Sequence, residues 1–326
     1  MFAPFEIINV LGEQAGNEFN QYFDITEQGN FEGKSIPNLL KNENYIKISQ
    51  QNEKLSVGQK AVYEFRKNRY TLHLDDKILT SWNALMIVAM SHLYRVTGDE
   101  KYLTAAVRAQ EFIQDKLCDG DTLFVSYRNG QRSGKGFLDD YANEILALIA
   151  LYEATLDNSY LNEALRFTNK ATDDFYDKKQ GGFFLYGRDN EQLILRPKET
   201  YDGAMPSGNS VMTYNFMQLY LATGEDKFRE LAESQIKFMT IEAKDYPTGY
   251  AMFLMALSDY MDLPDKVTVV LKEKQELADL SCRIPLNTLI QVMENPTDEY
   301  PLKNGKTTFY ICKGRTCLPP VNELNF

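Results

Sequence analysis

Three times along this chain, a short polar or acidic segment leads directly into an apolar helix that ends in a tyrosine-containing turn and is followed by a second helix. The leading segments are His73–Asn83, Gly136–Asn143 and Tyr201–Ser210, and the closing turns begin at Tyr94, Tyr152 and Tyr220. Recurrence at a spacing of roughly 60 residues is typical of stacked helical hairpins. In such an arrangement we expect the equivalent leading segments to open onto one shared mouth.

The apolar pattern indicates which helices lie inside. Trp82, Leu85, Met86, Ala89 and Leu93 fall on one helical face, which predicts a core-facing side. Gly98 favours the end of this helix, and Asp99 favours the start of the next. The first helix of each pair, near 138–152 and 211–220, is more apolar than the second. An inner ring buried on both sides and an outer ring with one wet face would produce that difference.

The remaining segments are predicted more coarsely. We expect helices near 6–23 and 56–69, a fourth inner helix at 248–262, and a hairpin turning at Asn129-Gly130. A second hairpin is expected where 182–186 and 193–195 flank Asp189-Asn190. After Pro264 the runs 267–271, 289–293 and 308–311 predict strands. We therefore divide the chain into a helical ring at 1–264 and a small α/β region at 265–326.

Charge and cysteine content exclude several classes of protein. The chain has 35 Lys and Arg against 46 Asp and Glu, a net charge of −11, which argues against a nucleic-acid or anionic-membrane partner. No apolar run is long enough for a membrane span, so we expect a cytoplasmic protein. Cys312 and Cys317 are expected to be two reduced thiols, because a zinc site would need further ligands nearby. We expect no metal and no cofactor.

Carboxylates recur at the starts of the predicted inner helices and are the candidate catalytic groups. They are Asp75, Asp76, Asp139, Asp140 and Asp202. Two carboxyl groups flanking a sugar bond are the usual equipment of glycoside cleavage. Each aspartate taken alone is more often a helix cap, since an acid is stabilised at a helix N-terminus. Doublets favour function, because a cap needs only one carboxylate.

Further polar and aromatic residues in the same motifs are candidate substrate-binding groups. They are His73, Trp82, Asn83, Tyr141, Lys198, Glu199, Tyr201, Ser207 and Asn209. The Gly-rich segment 201–210 suits sugar hydroxyls or an anion, or else it caps its helix and locks the neighbouring hairpins. We expect Trp82 to lie in the core, with sugar stacking as the alternative. His92 is expected to be a core residue, so that His73 is the better catalytic histidine.

Four long motifs resemble those of one family. These are the strings beginning at His73, Gly136 and Arg196, together with Y-I-C-K-G-R-T-C-L-P-P-V from Tyr310. The chain resembles the C-terminal part of the thioredoxin-like, spermatogenesis-associated protein family. The resemblance implies an (α/α)6 toroid like that of the six-hairpin glycosidases and sugar 2-epimerases. The family's thioredoxin-like domain is expected to be absent, and with about ten helices the ring is expected to be incomplete.

Three functions remain open at this stage. The first is a carbohydrate-binding or carbohydrate-processing module whose acidic pocket lies at the inner-helix N-termini. The second is a sugar 2-epimerase-like isomerase, which would need bases with a pKa near neutral. The third is a non-catalytic scaffold that docks a thioredoxin-like partner, or that self-associates to cover the open ring.

Overall fold

The chain forms two compact units. A computed structural model describes residues 1–42, 53–70, 73–191, 194–273, 280–314 and 316–324. The units are Met1–Asp75 and Asp76–Phe326. No helix among these residues is long and apolar enough to cross a membrane.

The described residues of the smaller unit form three helices, α1 (Pro4–Leu11), α2 (Glu13–Tyr22) and α3 (Glu53–Arg69). The helix expected near 56–69 is confirmed as α3, but the single helix expected over 6–23 is wrong. Gly12 has φ of 82°, a conformation that favours glycine, and it separates α1 from α2. Ile7, Phe19 and Val62 pack from the three helices into a small core.

Seven helices make the frame of the larger unit. They are α4 (Thr80–Thr97), α5 (Glu100–Phe112), α6 (Leu138–Thr155), α7 (Asn158–Phe175), α8 (Gly208–Thr223), α9 (Asp226–Ala243) and α10 (Ala251–Met261). The helices α4, α6, α8 and α10 pack side by side as an inner row, while α5, α7 and α9 each pack on the preceding inner helix. The described residues therefore form ten α-helices in all, and the prediction of a mainly α fold built from helical hairpins is confirmed.

Burial follows the predicted inner and outer arrangement. Nearly every residue of α6 and most residues of α8 are buried, whereas α7 and α9 bury one face. The inner helices α4, α6 and α8 end at residues in the left-handed conformation, Gly98, Leu156 and Gly224. Asp99 then caps α5, with its side chain accepting a hydrogen bond from the Lys101 N–H.

The face of α4 that was expected to be core is exposed. Trp82 is 59% exposed and Met86 is 55% exposed, so the core position expected for Trp82 is wrong. His92 also lies on an exposed part of α4, contrary to expectation. The buried side carries Ala84 and Ile87 instead, because α6 packs there. The periodicity therefore located the helix, but it could not show which of two apolar faces has a neighbour.

A small antiparallel sheet joins a strand that precedes α4 to three strands between α5 and α6. Its strands are β1 (Ile78–Leu79), β2 (Cys118–Asp119), β3 (Thr122–Arg128) and β4 (Gln131–Lys135), with β3 paired to the other three. The predicted turn at Asn129-Gly130 is confirmed. The second predicted hairpin is wrong for its described residues, and Leu193 lies outside them. Phe183 makes only an isolated bridge to Tyr176, and its N–H and C=O bond the Asn209 side chain.

The C-terminal strands form a second sheet. They are β5 (Lys266–Val270), β6 (Leu289–Met293), β7 (Thr308–Lys313) and β8 (Thr316–Cys317), in the order β6-β5-β7-β8. The three predicted runs are thereby confirmed as β5, β6 and β7, with β5 and β6 parallel. The sheet shares one apolar core with the helices. The Val292 N–H, for example, donates to the Tyr152 hydroxyl at 2.9 Å. The domain boundary proposed at 264 stays a prediction.

Cys312 and Cys317 form a disulfide, so the expectation of two reduced thiols is wrong. The two residues are direct partners across the β7–β8 pairing. Side chains opposite each other on adjacent antiparallel strands lie on the same face of the sheet, within reach of a disulfide. Sequence spacing alone did not reveal this pairing, because the tight hairpin between them was not predicted.

Candidate functional site

Carboxylates connect the N-terminal ends of α4, α6, α8 and α10, which we call the mouth of the larger unit. Asp140, in the first turn of α6, accepts a hydrogen bond from the Ser81 N–H of α4 at 3.2 Å. Its other oxygen accepts from the Phe137 N–H at 2.9 Å. Only 3% of Asp140 is exposed. Burial raises its pKa to about 7, and the neighbouring Asp139 charge adds to the shift.

Asp139 faces the next inner helix. Burial raises the pKa of this carboxyl, and the Glu199 charge raises it further. A hydrogen bond from the Gly208 N–H at the start of α8 opposes this shift. A Cβ at Gly208 would stand 2.6 Å from the Asp139 Oδ1 atom. Glycine therefore permits the close approach of α8 to this carboxyl. Asp139 is partly buried, so it is the member of the doublet that solvent can reach.

Asp202 joins the last two inner helices. One oxygen accepts a hydrogen bond from the Ser207 N–H at 2.8 Å, immediately before α8. The other accepts from the Met252 and Phe253 N–H groups of α10, at 2.9 and 3.4 Å. These donors are backbone groups that a helix start leaves without an intrahelical partner. The position of Asp202 is thus that of a clamp between two helix starts.

The first predicted acidic pair does not share this arrangement. Asp76 is half-exposed and forms an ion pair with Arg128, with 2.5 Å between Oδ1 and Nε. Asp75 and His73 are exposed and belong to the smaller unit. Within the larger unit, the structure therefore brings Asp139, Asp140 and Asp202 to connected helix starts.

Several predicted binding residues are buried in the framework around the mouth. The Tyr141 hydroxyl accepts from the Leu123 N–H and donates to the Asp121 carbonyl, and its ring packs on Phe167. The Asn209 side chain is fully buried and also donates to the Glu199 carbonyl at 2.7 Å. These polar atoms bond to other groups of the protein. Their occurrence in the motifs is therefore explained by structure and does not require a ligand.

Three other predicted residues also have partners inside the protein. Asn83 donates to the Leu79 carbonyl within α4's first turn. Ser207 is the N-cap of α8, with its hydroxyl oxygen accepting from the Ser210 N–H. Lys198 forms an ion pair with Asp177 at 2.9 Å. Of the predicted binding groups at the mouth, Trp82 and Tyr201 are the ones that expose large side chains.

Exposed aromatic side chains accompany the inner-helix starts. Trp82 lies in the first turn of α4, Phe137 precedes α6 and is 41% exposed, and Tyr201 precedes α8 and is 57% exposed. Tyr201 also packs edge-on against Tyr250, which directly precedes α10, with 6.2 Å between ring centroids. Sequence reasoning missed Phe137. Its signal was an aromatic residue at the N-cap position, where a polar residue is favoured.

The mouth has the chemistry of proton transfer more than that of metal binding. Among the described residues, no group of three or more His, Cys, Asp and Glu side chains could hold a metal ion. A carboxyl whose pKa is raised keeps its proton closer to neutral pH, and can give it up to a reacting oxygen. Asp139 combines that shift with access to solvent.

Sequence comparison finds relatives that are more than twice as long as the matched region. No protein-family model matches the chain. It is 27% identical to spermatogenesis-associated protein 20 of Rattus norvegicus, over 82% of this chain and 38% of that protein. It is 26% identical to an uncharacterised protein of Caenorhabditis elegans, over 93% of this chain and 46% of that one. The homologues thus include spermatogenesis-associated protein 20. The chain spans less than half the length of these relatives.

Solved structures with partial similarity are carbohydrate enzymes. Cellobiose 2-epimerase from Spirochaeta thermophila is 21% identical, with a TM-score of 0.44, over 50% of this chain and 43% of that one. An α-1,6-mannanase from a Salegentibacter species is 18% identical, with a TM-score of 0.43, over 73% of this chain and 70% of that one. That mannanase structure is of an inactive variant with two consecutive aspartates changed to asparagine, in complex with α-1,6-mannotriose.

Proposed function

We propose that the larger unit binds a carbohydrate at the mouth and processes it, with Asp139 as the proton-transferring group. The observation that supports this most is that the two aspartates of the acidic doublet differ in burial and in their hydrogen-bond partners. Asp140 is almost completely buried and holds two backbone N–H groups, so it positions the start of α6. Asp139 remains accessible with a raised pKa, as a general acid requires.

Glu199 is the candidate for the second carboxylate. Its side chain is exposed, and its charge acts on the Asp139 carboxyl from the segment that leads into α8. A pair of carboxyl groups that differ in burial suits the separate acid and base roles of glycoside cleavage. In this proposal Asp139 carries the proton, and Glu199 acts as the base or nucleophile.

The exposed aromatic groups supply a binding surface for such a substrate. Trp82, Phe137 and Tyr201 each present a large ring near an inner-helix start. Flat aromatic faces pack against the apolar face of a sugar ring, while its hydroxyls bond nearby polar groups. His92 does not supply a base for the epimerase alternative, because it lies about 16 Å along α4 from Ser81 at the helical rise per residue.

The direct test is turnover on a panel of mono-, di- and oligosaccharides, followed by NMR for both hydrolysis and epimerisation. We expect a substrate whose turnover falls by about 10² or more in Asp139→Asn and in Glu199→Gln. Asp173→Asn changes an exposed acid on α7 and should leave turnover unchanged. Full activity of Asp139→Asn, or no binding and no turnover of any sugar, would contradict the proposal.

The exposed apolar side of α4 favours docking as a second candidate function. Trp82, Met86 and Val96 lie on it and are 59%, 55% and 67% exposed. Large exposed apolar patches mark interaction sites. If this side of α4 packs against a second copy of the chain, light scattering should show dimers, and the substitution Met86→Glu should dissociate them. Monomers at all protein concentrations would exclude self-association.

A further inference from the structure

A cavity of about 560 Å³ lies between α5, α6 and α7, away from the carboxylates of the mouth. It is lined by Gln110, Glu111, Gln114, Asp115, Leu148, Ser159, Tyr160 and Glu163. Gln114 and Asp115 come from a π-helical turn, Ile113–Leu117, that continues α5. Such turns are uncommon and often occur at functional sites.

The wall of this cavity contains a buried polar group without a partner. Gln110 is 5% exposed and lines the cavity, yet its amide oxygen makes no hydrogen bond with any residue that the structure describes. Its amide nitrogen donates to Glu144, at 2.5 Å from Oε1. Glu144 is fully buried, and its second oxygen, Oε2, also has no hydrogen-bond partner in the described part of the chain. Buried acceptors without donors are costly, so a bound donor would stabilise this region.

The charge of the lining favours a cationic donor. Asp115 and Glu163 are neutralised by Lys116 and Arg166, with N–O distances of 2.8 and 2.5 Å. Glu111 has no such ion pair among the described residues. The Glu111 carboxyl group and the open Gln110 amide oxygen are both acceptors, as an ammonium group requires.

The remaining walls suit an aliphatic body. Leu148 is buried on α6, and Tyr160 lines the cavity from the first turn of α7 with its ring partly buried. An aromatic face also attracts an ammonium group through its ring electrons. A metal ion does not fit as well, because the described residues contain no group of three or more ligands suited to one.

We propose that this cavity binds a small organic cation, an alkyl ammonium compound whose charged end reaches Gln110 and Glu111. The chain would thereby have a second ligand site, on the outer side of α6 and independent of the sugar chemistry at the mouth. The ligand is held by charge, by the unfilled acceptors and by the apolar walls, and no bond is made or broken.

Calorimetric titration of the full chain with 1,4-diaminobutane at physiological salt tests this proposal. We expect saturable binding, with 1,4-butanediol, its neutral analogue, failing to bind. Glu111→Gln should weaken binding about tenfold, a value typical for the loss of one charge pair. Ser159→Trp should abolish binding by filling the cavity from the exposed start of α7.

A control variant separates the site from general attraction to an acidic protein. Glu230→Gln removes an exposed charge on α9 and should leave the affinity unchanged. The NMR signal of the Gln110 side-chain amide should shift on titration. The proposal is overturned if no binding occurs at millimolar diamine, if butanediol binds equally, or if Glu230→Gln weakens binding as much as Glu111→Gln.

Discussion

At the residue scale, burial divides acidic side chains that look equivalent in the sequence. Asp139 and Asp140 are neighbours in one doublet, yet one is accessible and the other is almost fully enclosed. The doublet itself was predicted as catalytic, together with Asp75, Asp76 and Asp202. The separate roles could not be predicted, because they depend on contacts with Ser81 and Gly208 from other helices.

Glu144 was not predicted as a functional residue. Its burial makes the stability of the protein depend on pH, and this dependence can be measured. Burial raises the pKa of Glu144 to about 7, from an ordinary value of 4.5. The folded state therefore holds this proton more tightly than the unfolded state does. The resulting stability is complete below pH 4.5 and is lost as the pH rises through 7.

Glu144→Gln removes this titration and keeps an acceptor for Gln110. Urea unfolding should show that the variant gains about 2 kcal/mol relative to the natural protein between pH 5 and pH 8. The matched change Glu163→Gln alters a carboxyl that is more than a third exposed and should show a much smaller pH-dependent difference. The raised pKa of Glu144 would be contradicted if the difference in unfolding free energy between Glu144→Gln and the natural protein were the same at pH 5 and pH 8.

At the element scale, the inner helices are joined at their starts by side chains rather than by backbone pairing. Asp202 illustrates why the motif 201–210 is dense in polar residues: it holds backbone N–H groups of two separate elements. The helices themselves were predictable from apolar spacing and from the Gly98 stop. The exposed side of α4 was not, because the neighbour of a helix is a tertiary property.

Asp202→Ala should therefore act on stability across two helices. We expect a loss of about 2 kcal/mol in the free energy of unfolding, since several backbone donors lose a charged acceptor together. Asp245→Ala, at an exposed position shortly before α10, is the control and should cost little. Equal unfolding free energies for the two variants in urea would show that the clamp contributes nothing.

At the scale of the whole molecule, the C-terminal sheet is part of the helical core. Val267, Ile290 and Phe309 belong to the same apolar cluster as residues of α4, α6 and α8. Arg95 of α4 pairs with Glu153 of α6 at 2.7 Å and donates to the Pro285 carbonyl at 3.2 Å. The change in composition after Pro264 predicted the strands correctly, but composition carries no information on what their faces cover.

Removing residues 265–326 should therefore damage the helices as well. A chain of residues 1–264 would expose the apolar surface that the sheet covers and leave the buried Arg95 without its carbonyl partners. We expect calorimetry to show loss of the cooperative transition of the larger unit and binding of a hydrophobic dye. Unfolding as sharp as that of the full chain would instead support an independent helical domain ending at 264.

The central claim is that the mouth of the larger unit receives a carbohydrate next to Asp139. Crystallography of the Asp139→Asn variant, soaked with a cocktail of mono- and disaccharides, tests it most directly. We expect sugar density at the starts of α4, α6 and α8, with a hydroxyl or glycosidic oxygen in hydrogen-bond reach of residue 139 and a sugar ring against Trp82, Phe137 or Tyr201. A mouth that stays empty at saturating sugar, or sugar bound only elsewhere, would contradict it.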